Sequence, residues 1–237
     1  MKRTYNQYCG IARALDIVGD RWSLLIVRNL LLGAQRYKEL LDDLPGIGTN
    51  LLAARLRELE AAGVLRRRTA DGLTRSPIYE LTTVGRRLER AVLALGLWGT
   101  RFLGDPRPGE LYRLQWAVLS MKAMFRPEQA AGISETYEFR VAEDVVHVQV
   151  NDGTAAAREG PASRPDLVVT CDMPTFLRIG TGKLSPDKAL TEGKIHIAGD
   201  PATLDRCLSI FSRKAADDAE PLHSRKQQSQ PGPRISA

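Results

Sequence analysis

The run Gly104-Asp-Pro-Arg-Pro-Gly109 is the strongest constraint on the fold. Two prolines and two glycines in six residues carry no helix or strand through. The 237-residue chain is thereby divided into a first part, 1–103, a linker, 104–110, and a second part, 111–213. Each part is long enough to bury a core of its own. Beyond residue 213 the composition shifts again. Residues 214–237 are rich in Ser, Gln and Pro and poor in apolar side chains, which predicts a disordered tail.

Charge follows the same division. Lys and Arg number 34 and Asp and Glu 28, a net charge of +6. Residues 1–104 hold 17 basic and 10 acidic residues, whereas 105–213 hold 13 and 15. The first part therefore accounts for the whole excess. A confined basic surface suits a polyanion, because each phosphate contact releases a condensed counterion. An inert basic surface has the same count, so placement must decide between them. A hydrophobic share of 43% excludes global disorder.

Other classes drop out on residue type. Cys9, Cys171 and Cys207 form no C-x-x-C pair, and His147, His196 and His223 show no ligand spacing with them. Neither a disulfide framework nor a structural metal is expected, and no cofactor motif occurs. No Ser-His-Asp, Cys-His or paired-carboxylate arrangement can be argued, so enzyme activity is not expected. The first ten residues lack a secretory apolar core, and the apolar stretch 22–32 is interrupted by Arg28 and Asn29. The expectation is a cytoplasmic protein without a membrane partner.

The first part reads as helices followed by a hairpin. Ile11, Ala14, Leu15 and Val18 recur at helical spacing, with Gly19 as a stop. Trp22, Leu25, Ile26 and Leu30 mark a second helix ending near Gly33, and 37–41 a short third. After the turn Pro45-Gly-Ile-Gly, Thr49 is the expected N-cap of a helix to about Ala62, with Gly63 at C′. Segments 64–69 and 78–81 read as strands joined through Asp71-Gly72, a hairpin signal. Thr82-Thr83 opens a long helix striped with Leu88, Ala91, Val92, Leu95 and Trp98. This order predicts a winged helix-turn-helix, mainly α with a two-stranded wing.

On the 49–62 helix, Leu52, Leu56 and Leu59 share the core face. Asn50, Ala54 and Arg57 point the other way, with Thr49 at the start and Arg55 at the edge within reach of a phosphate. Small residues let a helix sink into the major groove, Asn pairs with adenine and Arg with guanine. Arg66, Arg67, Arg68 and Arg75 cluster on the hairpin, where like charges favour a nearby anion. Arg36 and Lys38 flank the short third helix. Each charge alone also fits a solvated surface. Their joint placement points to double-stranded DNA.

Several motifs are linked in one order: Cys9-Gly-Ile-Ala-Arg-Ala-Leu-Asp-Ile-Val-Gly-Asp-Arg-Trp, Arg36-Tyr-Lys-Glu-Leu, Pro45-Gly-Ile, Leu52-x-x-Arg-Leu-x-x-Leu-x-x-x-Gly and Tyr79-Glu-Leu-Thr-x-x-Gly. Across about 5–103 the chain resembles HxlR-type transcriptional regulators. The resemblance implies a homodimeric repressor or activator on a pseudo-palindromic operator. It also implies dimerisation through the terminal helices, a role that Leu88, Val92, Leu95, Trp98 and Phe102 fit. Some members of that family sense thiol-reactive compounds at the position matched by Cys9, a candidate redox sensor, although Gly10 stands where proline is common. Arg13, one turn on, is placed to stabilise a thiolate.

The second part reads as α+β: a helix over about 111–125, alternating strands at 137–141, 145–150, 154–158, 167–171 and 194–198, and helices at 174–180, 186–192 and 201–211. Asp172, Asp187 and Asp200 fall where helix caps are expected. The runs Asp172-Met-Pro-Thr-Phe, Gly182-Lys-Leu-Ser-Pro-Asp-Lys-Ala-Leu and Gly193-Lys-Ile-His-Ile-Ala-Gly-Asp-Pro-Ala-Thr-Leu resemble sterol-carrier-protein (type two) domains over about 112–213. That resemblance implies a sheet with helices over one face and an apolar tunnel for a small apolar ligand. Candidate liners are Trp116, Met121, Met124 and Phe125 early in the domain, Phe176, Ile179 and Leu190 in its middle, and Leu204, Leu208 and Phe211 in its last helix. Plain core packing accounts for the same residues. The whole is read as a dimeric, ligand-responsive, DNA-binding regulator. The alternative is a lipid-binding carrier or metabolic accessory protein whose winged helix docks another protein.

Overall fold

The computed structural model describes residues 4–69, 77–104 and 107–212. The expected hairpin turn with Arg75, and the expected tail 214–237, lie outside the described residues.

The helical order of the first part is found: α1 (Gly10–Val18), α2 (Ser23–Leu32), α3 (Tyr37–Asp42) and α4 (Thr49–Ala61). Leu52, Leu56 and Leu59 of α4 are 0, 2 and 1% exposed, as helical spacing requires, and join Ile26, Val27, Leu30 and Leu40 in one core. Burying each such side chain contributes roughly 1.5–3 kcal/mol. Thr49 is not the cap of α4. Gly48 takes that place and Thr49 is the first helical residue. The C-terminal end of α4 is a Schellman motif. Gly63 holds φ +71 while its N–H reaches Glu60 O and that of Val64 reaches Leu59 O, both at 2.9 Å.

Strands β2 (Leu65–Thr69) and β3 (Pro77–Leu81) form the wing, but the sheet has a third member. Gln35–Arg36, β1, pairs with the outer edge of β3, so the order is β1-β3-β2. Two residues are too few to show a period of two. The helix expected after Thr82 is also interrupted, into α5 (Thr83–Arg86) and α6 (Glu89–Gly99) with a 3₁₀ turn at Thr100–Phe102. Thr82 caps α5 by accepting from the Gly85 N–H at 3.1 Å. Gly85 lies so close to the wing that a Cβ would stand 1.9 Å from the Val64 carbonyl oxygen.

The second part follows its predicted order: α7 (Leu114–Met124), β4 (Ser134–Val141), β5 (Asp144–Asn151), β6 (Thr154–Glu159), β7 (Leu167–Cys171), α8 (Met173–Gly180), α9 (Pro186–Thr191), β8 (Ile195–Gly199) and α10 (Pro201–Ile210). The five strands run β6-β5-β4-β7-β8, with β4 and β7 parallel and the other neighbours antiparallel. Alternation puts Tyr137, Phe139, Val141, Val146, Val148 and Val150 on one face, in a core with α7 and α10. On the other face Glu138 is fully buried, accepting from Arg140 Nε and the Ala162 N–H, each at 2.7 Å. Asp172 and Asp200 cap α8 and α10, but Asp187 sits in the first turn of α9 and Ser185 is the cap. None of the described helices is long and apolar enough to cross a membrane.

Candidate nucleic-acid interface

The site is built on the α3–turn–α4 unit. Leu40, Leu44 and Ile47 anchor it from below, each at most 7% exposed. Tyr37, at the start of α3, donates from its hydroxyl to Thr49 O at 2.6 Å and ties α3 to the first turn of α4. The Glu39 carboxylate accepts from the Arg36 backbone N–H at 2.6 Å and fixes the entry to α3. Arg36 and Lys38 stand exposed on this flank.

The outer surface of α4 presents Asn50 and Arg57 as exposed side chains, with Thr49 exposed at its start and Ala54 half-buried between them. Leu51 joins them, 38% exposed on the same first turn. An apolar group there has the chemistry to meet a thymine methyl. Helical spacing alone assigns Leu51 to no face, because it falls between the core stripe and its opposite.

Arg55 is used differently from the expectation. Its guanidinium pairs with Asp20, in the loop before α2, and with Glu58 one turn on. It fastens α4 to the α1–α2 corner, so a phosphate reaching Arg55 would compete with two carboxylates. Asp20 lies 35 residues away, so no local pattern could reveal it.

The wing arginines have an internal counter-charge. Glu80 stands directly across from Arg66 and receives its Nε at 2.8 Å, while Arg68 Nε lies 3.4 Å from the other carboxylate oxygen. Hydrogen bonding and charge from Arg66, then Arg68, hold the Glu80 carboxyl below the usual range. Arg67 alternates to the opposite face, with its backbone N–H on Glu60 at 3.2 Å. All three side chains remain exposed, and such surface pairs contribute only about 0–1 kcal/mol. A phosphate can compete for Arg66 and Arg68.

The expected dimer stripe divides in two. Leu88 and Val92 pack against the core of the winged helix. Leu95, Trp98 and Phe102 are 49, 57 and 55% exposed, with the Trp98 and Phe102 rings 4.7 Å apart. Tyr8 and Ile11, at and before the start of α1, are also exposed. Cys9, at the N-cap of α1, is exposed, and backbone N–H groups of Ala12 and Ile11 lower its thiol pKa. Arg13 faces Asp16 at 3.5 Å instead of the thiol.

The candidate ligand liners belong largely to the second core. Met121 and Leu204 are buried, Leu190 and Leu208 pack against the cluster, and Ile179 lies with Leu184, Ala189 and Ile195. Phe125 and Phe211 are 5.7 Å apart, Phe211 meets Tyr137 edge-on, and Phe176 meets Phe139 edge-on at 6.1 Å. Met124 is half-buried at the end of α7. Trp116 departs from this set. Its ring lies over the Arg28 guanidinium, 3.8 Å from the centroid, and it faces α2 of the winged helix.

Comparison with known proteins agrees with this division. A family model described as HxlR-like helix-turn-helix matches residues 17–106, and one described as the SCP-2 sterol transfer family matches 120–212. The uncharacterized HTH-type transcriptional regulator sll1512 of Synechocystis is 35% identical over 95 residues, covering 40% of this chain and 70% of that protein. The regulator Mb3122 of Mycobacterium bovis is 39% identical over 98 residues, 41% of this chain and 60% of that one. Among solved structures, the redox regulator HypR in its reduced form is 32% identical and covers 38% of this chain and 90% of its own, with a TM-score of 0.37. The chain belongs to the HxlR-type helix-turn-helix transcriptional regulators, and its winged helix is followed by a domain of the SCP-2 sterol transfer family.

Proposed function

We propose that the protein is a homodimeric, sequence-specific DNA-binding regulator of transcription that responds to a small apolar molecule held by its second domain. The observation that carries the DNA reading is the outer surface of α4, where Asn50, Leu51, Ala54 and Arg57 lie together beside a wing bearing Arg66, Arg67 and Arg68. Base-reading chemistry on the helix and phosphate chemistry on the wing are both needed, since phosphate contacts position a protein without specifying a sequence.

The exposed Leu95, Trp98 and Phe102 surface supports pairing of two subunits. A two-fold pair presents two α4 helices roughly 34 Å apart, one turn of B-DNA, and so calls for a pseudo-palindromic operator. The SCP-2 family match supports the ligand reading. The ligand acts on DNA only through different affinities for two states of the dimer.

The test is a comparison of two sets of alanine variants on a duplex selected by the wild-type protein from a random pool. Arg57→Ala is expected to relax the preference at one position, at a cost of about 1–3 kcal/mol. Alanines at Arg66, Arg67 and Arg68 are expected to weaken all duplexes alike. Each phosphate partner removed in this way should lower the salt slope by about one. Uniform weakening by Arg57→Ala would contradict the reading.

A further inference from the structure

Besides the packing of α7 along α6 and the Lys122–Glu89 pair, the two domains meet at a polar junction that leads to the DNA-reading helix. Arg113, just before α7, donates from Nε to Asp43 Oδ1 at 2.9 Å. The other oxygen of Asp43 accepts from Gln35 Nε2 at 3.1 Å. Asp43 is the C-cap of α3, and its backbone N–H closes the helix on Glu39 O. The far end of α3 holds Tyr37, whose hydroxyl is bonded to Thr49 O in the first turn of α4. The six-residue α3 thus joins the Asp43 junction at one end to the first turn of α4 at the other.

A second contact fixes the same junction. The Trp116 ring stacks on Arg28, and its Nε1–H donates to Asn29 Oδ1 at 3.2 Å. Arg28 donates to the same oxygen through Nε and Nη2, at 3.0 and 2.9 Å. Asn29 is fully buried, and its Nδ2 has no partner. Among the described residues, the buried side-chain atoms without a partner are Asn29 Nδ2, Gln35 Oε1 and Tyr112 OH. All three belong to this junction or its immediate neighbours. A buried polar atom left without a protein partner carries a desolvation cost, so this junction is less tightly satisfied than the two cores it joins. The core helix α7 links the junction to the second domain: Leu114, Val118 and Met121 are buried in that domain's core, while Trp116 faces α2.

We propose that Arg113 and Trp116 are positioning residues for DNA reading: Arg113 holds the C-terminal end of α3 and Trp116 holds α2, the two helices against which the recognition helix α4 is placed. This rests on the DNA-binding role of α4 given above. It assigns the coupling between the two domains to named side chains. A change in how α7 packs in the second core alters operator affinity through Asp43 and Asn29, and operator binding acts back on α7 by the same factor.

The experiment measures binding of wild-type, Arg113→Ala, Arg113→Lys and Trp116→Ala proteins to the duplex selected by the wild type and to a scrambled duplex. The wing and Arg57 are untouched in all of them. Each alanine variant is expected to lose about tenfold in affinity for the selected duplex, with scrambled-duplex affinity within about twofold of wild type. Arg113→Lys, which keeps a cation for Asp43, is expected to recover most of the loss. Unchanged selectivity in both alanine variants would overturn the proposal. So would a parallel fall on both duplexes that tracks lost folded protein by circular dichroism, the mark of a merely structural role. A wild-type protein without sequence preference would instead overturn the DNA-binding role of α4 itself.

Discussion

Three cysteine thiols in this chain sit in three different environments. Backbone N–H groups of Ala12 and Ile11 lower the pKa of exposed Cys9, whereas burial raises Cys171 to about 11 and Cys207 to about 12. A lowered pKa means more thiolate at a given pH, and thiolate is the reactive form. Alkylation by iodoacetamide, followed by peptide mass spectrometry from pH 6 upward, is expected to label Cys9 first. Labelling of Cys171 or Cys207 ahead of Cys9 would contradict this ordering. For Cys9 as the candidate redox sensor, diamide is expected to change DNA binding of the wild type and not of Cys9→Ser; the same response in both would remove that role. At this scale residue types were legible and their partners were not. Arg13 is sequence-adjacent to the thiol's turn yet faces Asp16, and Arg55 faces Asp20. The Arg55–Asp20 pair depends on which loops fold together, and local spacing does not encode that, whereas Arg13–Asp16 is an ordinary i, i+3 pair along α1.

Helical elements were legible because a period of 3.6 recurs over several turns, as in Leu52, Leu56 and Leu59. The joint after the wing was not. Gly85 lies against the Val64 carbonyl, a contact made only once β2 and α5 are placed in space. Gly85→Ala puts a methyl group 1.9 Å from that oxygen and is expected to destabilise the winged helix by about 1–3 kcal/mol, read as a lower urea midpoint. An unchanged midpoint would show that the joint yields freely. The single stripe read along α6 also proved to be two surfaces. Its first turn, with Leu88 just before it and Val92, covers its own core, while Leu95 and Trp98 face outward. Periodicity reports that residues share a face and is silent on whether that face turns as the helix leaves the core.

For the whole molecule, the division into two parts and the basic excess of the first were legible in composition, but the junction between the domains was not. Trp116 bonds to Asn29 across 87 residues of chain, and its apolar ring held no sign that it would leave the second core for an arginine. The exposed Leu95, Trp98 and Phe102 surface belongs to this scale too, because only a second subunit covers it in the proposed dimer. Trp98→Asp is expected to convert a dimer into a monomer by sedimentation velocity; a wild-type protein that sediments as a monomer would remove the basis for a two-fold operator. Whether this dimer reads a DNA sequence is tested most directly by titrating the wild-type protein against its selected duplex and a scrambled one at several salt concentrations. The expected result is two subunits per selected duplex and affinity that falls steeply with salt on both duplexes. The selected duplex should be preferred by about 10³-fold or more at physiological salt. Equal affinity for both duplexes, or binding that ignores salt, would contradict a sequence-reading dimer.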